Sequence, residues 1–392
     1  MYKEIYNQTS TYVKQADFYA GFGIPHSVFV EHDPDLHKQR RRRLNPYFYR
    51  RAIGELETLL KDKVEQLGNR IDSQNGPYNI YNAVRCTTVD IISHYCIGKS
   101  FGQLEKSDEN FNSDFLHAFN FVSASIWKFM YQPALRWVVL SIHPTLAKIM
   151  SREAGYMLKL NGACHEAAIS FKRDPAKSTD RTILSSLTDL DEKDMGAEAA
   201  VFLVAGSDIT AYTLSAAIVQ IRVVDTKNLP SLLELEQIVY LNATVREAVR
   251  FAIAAPGRLL RVVPRDGKPL VVDEQLIPAG SIIGISAYTM NFSKKLWGDD
   301  AAEFNPDRWL GEGGKSLDTN MCSFSKGLRS CLGQNLAFVE IHYILAYLFA
   351  KYDIELVDKP DDIEVHDRFS TYVTKHAIMV NMKKHEVSKS VE

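Results

Sequence analysis

The sequence predicts a helix-dominated α+β protein, and two observations predict it. Roughly the first 260 residues place apolar side chains mostly at helical spacing, and they include a proline-free stretch from Asp194 to about Val224 dense in Ala, Leu, Val and Ile. After Pro256 the character changes to short β-prone runs broken by proline and glycine. The 392 residues are 46% hydrophobic and 24% charged, an ordinary globular composition with enough apolar material for a sizeable core. The whole of 1–392 reads as a single domain.

Taken in order, Leu36 to about Leu67 reads as a charged, amphipathic helix interrupted near Asn45-Pro46. Ala83 to Cys96 has apolar residues at helical spacing. The 194–224 stretch would be a rod of roughly 45 Å at 1.5 Å per residue. It is apolar on most sides, which places it through the core. Arg258–Val263, Leu270–Val272 and Ser281–Ser286 read as short strands punctuated by Pro264, Gly267, Pro278 and Gly280. Loops rich in Pro, Gly and Asp continue to about Ser330. A last helix runs from Leu332 to about Tyr352, and a β-prone tail ends the chain. There is no internal repeat or low-complexity segment.

Charge and cysteine usage exclude several classes. With 46 basic and 48 acidic residues the formal net charge is −2, which gives no reason to expect a nucleic-acid partner. The five cysteines are few, odd in number and scattered, so a disulfide framework is not expected. No CxxC or HExxH cluster suggests zinc. Lys3, Glu4, Lys14 and Asp17 interrupt the N-terminus, so no signal peptide, anchor or transmembrane segment is expected, and the chain as written reads as soluble.

The decisive segment is Phe324-Ser-Lys-Gly327-Leu-Arg329-Ser-Cys331-Leu-Gly333. A lone cysteine is commonly buried and inert. Here it stands immediately before a helix, whose free N–H groups and dipole favour an anion and hence a thiolate. Gly327 and Gly333 permit tight turns and close approach of backbone to a flat macrocycle. Arg329 suits a planar carboxylate pairing, and Phe324 can shield the sulfur from water. Cys322 lacks this context and reads as structural.

The segment fills every fixed position of the haem-thiolate signature F-x-x-G-x-R-x-C-x-G, and the chain resembles the cytochrome P450 family from about Glu31 to its end. The resemblance implies the cytochrome P450 fold, haem b with Cys331 as axial ligand, and electrons from NADPH through a cytochrome P450 reductase. It extends to weaker motifs. Glu247-x-x-Arg250 shares one helix face; alone it would be an ordinary surface pair. Phe304-Asn-Pro306-Asp-Arg308-Trp309 is similar to an element whose arginine joins that pair in a buried network. His37 and Arg41 stand where family members contact the haem propionates, the other reading being a solvated basic face. The remaining basic residues there suit a reductase docking face. Arg261 aligns with a propionate-directed arginine on a strand, while Arg258 reads as structural or solvated.

Ala205-Gly206-Ser207-Asp208-Ile209-Thr210 resembles the family's oxygen-site element on the central helix; alone it would be a plain buried helix with a glycine. The resemblance gives Ala205 and Gly206 the task of leaving room above the iron, and Asp208 with Thr210 the proton relay. The usual first threonine is replaced by Ile209. Thr210 lies one position on, about 100° around a helix, and should not face the same point.

Asp90–Gly102 and Leu44–Phe48 are similar to fungal members, the nearest group being like trichodiene oxygenase of secondary metabolism. This implies a monomeric monooxygenase acting on a lipophilic small molecule such as a terpenoid. Ile209 leaves open an isomerase or dehydratase that needs no oxygen activation. Against the family pattern, the anchor and first strands are expected to lie before Met1, relatives being anchored at the endoplasmic reticulum. Only 36 residues separate Thr210 from Glu247, so the chain reads as shortened around 222–232. These departures leave open a non-catalytic haem-binding remnant.

Overall fold

The computed structural model describes residues 2–143, 145–146, 149, 152–173, 181–221, 231–265, 269–358, 362–375 and 377–385. The proposed shortening falls largely on 222–230, outside the described residues. The principal helices are α1 (Pro34–Phe48), α2 (Glu57–Asp72), α3 (Ile80–Ile97), α4 (Asp114–Tyr131), α5 (Arg152–Arg173), α6 (Glu192–Gln220), α7 (Val239–Ala252) and α8 (Gln334–Lys351). The strands are short: β1 (Val13–Lys14), β2 (Tyr78–Asn79), β3 (Arg261–Val262), β4 (Leu270–Val272), β5 (Gln275–Ile277), β6 (Ile282–Ile283), β7 (Tyr352–Leu356), β8 (Val365–Arg368), β9 (Ser370–Val373) and β10 (Met379–Lys384).

Helix α1 starts where Asp33 accepts hydrogen bonds from the amides of Asp35 and Leu36, with Pro34 in the first turn. It runs through Pro46 and breaks at Tyr49, not at Asn45-Pro46. The proline lies in the last turn, so few helical bonds beyond it are lost. Asp191 caps α6, which crosses the core as expected and ends at Gln220. Helix α6 packs along α3: a Cβ on Gly206 would come within 2.6 Å of Ile92 Cγ1, so glycine lets the two helices approach. The Thr88 hydroxyl donates across this seam to Ser207 O at 2.8 Å. Helices α2, α3, α6 and α8 contribute to one large apolar cluster.

The sheets are small and antiparallel, in orders β1-β3-β6 and β2-β10-β7, with two hairpins, β4-β5 and β8-β9. Residues 13–14 supply the edge strand β1. The register sets Lys14 directly opposite Arg261. The loops before Ser330 contain short helices at Ala287–Asn291, Lys294–Trp297 and Gly311–Leu317 that the proline- and glycine-rich sequence did not announce.

Candidate active-site cavity

A cavity of about 310 Å³ lies where α6, α8, α4 and the 19–29 segment meet. The cysteine loop forms one wall. Cys331 N–H donates to Phe324 O at 2.8 Å, closing the loop. The Phe324 ring packs on Phe338 of α8 at 5.4 Å. Cys331 is accessible, and that surface opens into the cavity it borders. Otherwise the thiol is enclosed: burial raises its pKa, outweighing the backbone N–H of Gly333, which favours the anion. The helix-end anion stabilisation expected from sequence is therefore present but insufficient. Coordination to a metal ion would deprotonate the thiol outright.

The two loop glycines serve different ends. Gly333 borders the cavity, and a Cβ built there meets open space. Gly327 does not reach the cavity. Its φ is +74°, and a Cβ would collide with the backbone of Asn7 at 2.3 Å. The positive φ fits the tight turn read from the sequence, and the close approach that glycine permits here is to the N-terminal segment.

Beside the loop lies a corner crowded with positive groups. Arg41 donates to Ser330 O at 2.6 Å. Arg329 donates to the carbonyls of Glu31 and His32, the latter at 3.2 Å. Arg261 donates to the Tyr19 hydroxyl at 3.1 Å and Leu260 O at 2.9 Å. Lys14, which the sequence did not single out, is buried and donates to Phe29 O. All four border the cavity, as does buried His37. Burial, then Arg261, Arg329 and Arg41, hold the Lys14 pKa well below normal. Burial and the same neighbours push His37 down to about 3, leaving it neutral. Glu31 acts on Arg329, but no carboxylate among the described residues pairs with Lys14, Arg41 or Arg261. Like charges directly across a ladder, as at Lys14 and Arg261, oppose folding. Such a corner is built for a ligand with carboxylates.

On α6, Ala205 and Ile209 present accessible surface to the cavity, one turn apart. Gly206 borders it too, and a side chain there would collide with Ile92, so packing of α6 on α3 also requires the glycine. Asp208 is engaged elsewhere. Its Oδ1 accepts from Arg85 Nε at 2.9 Å and from the Tyr81 hydroxyl at 2.8 Å, all three residues buried. Thr210 is buried and turned toward Glu340 of α8. Asp208 and Thr210 thus have different partners, in keeping with the expectation that Thr210 does not face the same point. The signal for Arg85 was a single arginine in a helix whose apolar residues recur at helical spacing.

Behind the loop, the charged network expected from the weaker motifs is assembled. Glu247 and Arg250 are fully buried and doubly hydrogen-bonded at 2.7 and 2.8 Å. Arg308 Nε and Trp309 Nε1 reach the same carboxylate at 3.1 and 2.9 Å. Arg250 also donates to the carbonyls of Asn291 and Ala301 at 2.8 and 2.7 Å. These bonds hold the loop preceding the cysteine segment.

The residues present fit a haem: a thiol opening into an apolar cavity, open space over Gly333, and a cationic corner for two propionates. The comparisons agree. The cytochrome P450 family model matches residues 1–382. The chain is 27% identical to cytochrome P450 monooxygenase aneF of Aspergillus aculeatus, over 92% of this chain and 78% of that one. It is 29% identical to cytochrome P450 monooxygenase oblB of Emericella variicolor, over 93% and 75%. A crystal structure of a cytochrome P450, CYP102L1, superposes with a TM-score of 0.75 at 17% identity, covering 95% of this chain and 85% of that one. Family model, relatives and fold converge, and the chain belongs to the cytochrome P450 family, the haem-thiolate oxidoreductases that incorporate oxygen.

Proposed function

We propose that this protein, as one domain, binds haem b through Cys331 and inserts one atom of dioxygen into a lipophilic small molecule, a terpenoid or similar secondary metabolite. The observation that supports it best is the joining, in one apolar cavity, of an accessible thiol and a cationic corner. Lys14, His37, Arg41, Arg261 and Arg329 would hold the propionates, with charge-assisted bonds that the backbone carbonyls now accept. When bound, the haem supplies the reduction of dioxygen, its thiolate ligand favouring O–O cleavage.

The chain's own residues do the rest. Phe119, Val122, Phe202 and Phe369 line an apolar wall that excludes water and orients an apolar substrate. Ala205 leaves room beside the cysteine wall. Exposed Lys38 and Arg42 on α1 offer a docking face for an acidic NADPH-dependent flavoprotein reductase. The reduced protein with carbon monoxide should give the strongly red-shifted Soret band of thiolate ligation, and Cys331→Ser should abolish it. An unshifted band in the wild type, or its retention in the variant, overturns the ligand assignment.

A further inference from the structure

A second cavity, of about 480 Å³, lies outside the active site and shares no lining residue with it. Its walls are largely aromatic: Tyr212 of α6, Phe251 of α7, and Tyr288 and Phe292 at the short helix 287–291. Phe292 packs on both Phe251 and Tyr288, with ring centres 5.8 and 4.9 Å apart. The hydroxyls at the floor are already engaged. Ser286 donates to Pro256 O at 2.6 Å, and Thr371 donates to Ile253 O at 2.9 Å. Exposed Tyr288, His366 and Asp367 form the rim. Asp367 accepts the Phe369 amide at 2.9 Å, and His366 pairs with Glu364 at 3.2 Å. Among the described residues no lysine or arginine borders this cavity. Arg368 lies over the Tyr372 ring instead, at 3.6 Å, and Arg250, which lies over Phe292, is answered by Glu247. Ring faces carry partial negative charge and attract cations. With carboxylates at its mouth, this cavity has the opposite sign to the cationic corner beside the cysteine loop.

The two cavities share a wall. Ile253, Pro256, Asp367 and Thr371 border the second, whereas Ala254, Ala255, Phe369 and Ser370 border the active one. The Thr371 amide ties the two segments together, donating to Ala254 O at 3.0 Å. Each segment holds a residue at left-handed φ, Ile253 at +44° and Phe369 at +79°. A β-branched residue there is a true outlier, and such strain persists only where the surroundings enforce it, as at ligand clamps. We propose that the second cavity binds a hydrophobic ammonium cation as an effector, its apolar body among the rings and its charge toward Asp367. Once filled, the cavity leaves the shared wall no space to yield into. A bulky molecule in the active cavity then binds less well, and by linkage it weakens the cation by the same factor. The site goes beyond the monooxygenase reading and rests on it only for the haem used in the test.

The probe is benzyltrimethylammonium, whose nitrogen has no lone pair with which to ligate iron. NMR titration of the haem-loaded protein should find one site for it. Its neutral carbon isostere, neopentylbenzene, should bind about tenfold more weakly. Tyr288→Leu and Asp367→Asn should each weaken the probe about fourfold, and Tyr288→Trp should tighten it, all with an unchanged thiolate–carbon monoxide band. Saturating 4-phenylimidazole, which ligates the iron and fills the active cavity, should weaken the probe about fivefold and then no further. A loss that keeps growing with azole concentration would place the probe in the active cavity and overturn the second site, as would no binding at all. A probe affinity indifferent to the azole would overturn the effector role. Equal binding of the isostere, or wild-type affinity in Tyr288→Leu and Asp367→Asn, would overturn the cation assignment. A wild type without the thiolate band overturns the monooxygenase reading instead, while probe binding and its loss in Asp367→Asn still decide the second site.

Discussion

Two buried charged regions lie on either side of the cysteine loop, and they are built on opposite principles. Around Glu247 each charge is answered: Arg250 and Arg308 share its carboxylate, and Trp309 donates to it. Around Lys14 and Arg261 the charges are alike, and their hydrogen bonds go to backbone carbonyls and the Tyr19 hydroxyl. A satisfied network is finished structure. A cluster of like charges in an apolar cavity is half of an interaction, and its sign says what the other half is. The first region therefore fixes the loop, and the second receives a ligand carboxylate.

The comparison breaks most visibly at Glu247. Glu247→Gln removes one partner of a fully buried pair and leaves Arg250 uncompensated, at a cost of about 3–5 kcal/mol. Urea unfolding should show that loss, and the carbon monoxide band should weaken as the loop loses its support. A midpoint near wild type would mean the network is not structural. Lys14→Met should split in sign. Without haem it removes a buried cation facing another and stabilises the protein by about 1–3 kcal/mol. With haem it removes a propionate partner, so haem should transfer faster to a scavenger such as apomyoglobin. Destabilisation in both states would show that Lys14 belongs to the first kind of region.

How much of this was legible follows from the same contrast. The cysteine loop and the central rod are patterns continuous in the sequence, while the Glu247 pair took its meaning from the resemblance. Lys14 has no such pattern: only the register of β1 on β3 brings it to Arg261, far along the chain. Arg85 looked unremarkable, and Asp208 carried only the relay role that the resemblance implied, until α3 packed on α6 and joined them. Gly327 shows the limit from the other side. Its need for positive φ was legible, but the neighbour that forbids a Cβ, Asn7, was not. Glu340 was hidden because a single acid in a helix near the cysteine loop reads as surface until its burial is known.

Acidity sharpens the comparison most finely, through His37. Burial and the surrounding cations hold its pKa at about 3 in the protein without haem, against about 6.5 in the unfolded chain. Between those values the unfolded chain binds a proton that the folded one does not. Stability from this group is therefore complete above about pH 6.5 and is lost as pH falls, by about 1.4 kcal/mol per unit. Glu198 pulls the other way. Burial raises it to about 7 despite Arg40 and the Val28 amide, so its folded form gains as pH falls from about 7 to 4.5. The wild-type profile mixes the two, and the difference between wild type and His37→Gln isolates the histidine. The stability of His37→Gln relative to wild type, from urea midpoints of the haem-free protein, should rise by about 1 kcal/mol on going from pH 7 to pH 5.5. Bound propionates should raise the His37 pKa, so haem binding should take up protons near pH 6 in the wild type and fewer in His37→Gln. Equal uptake in both would place the ligand's carboxylates away from this corner.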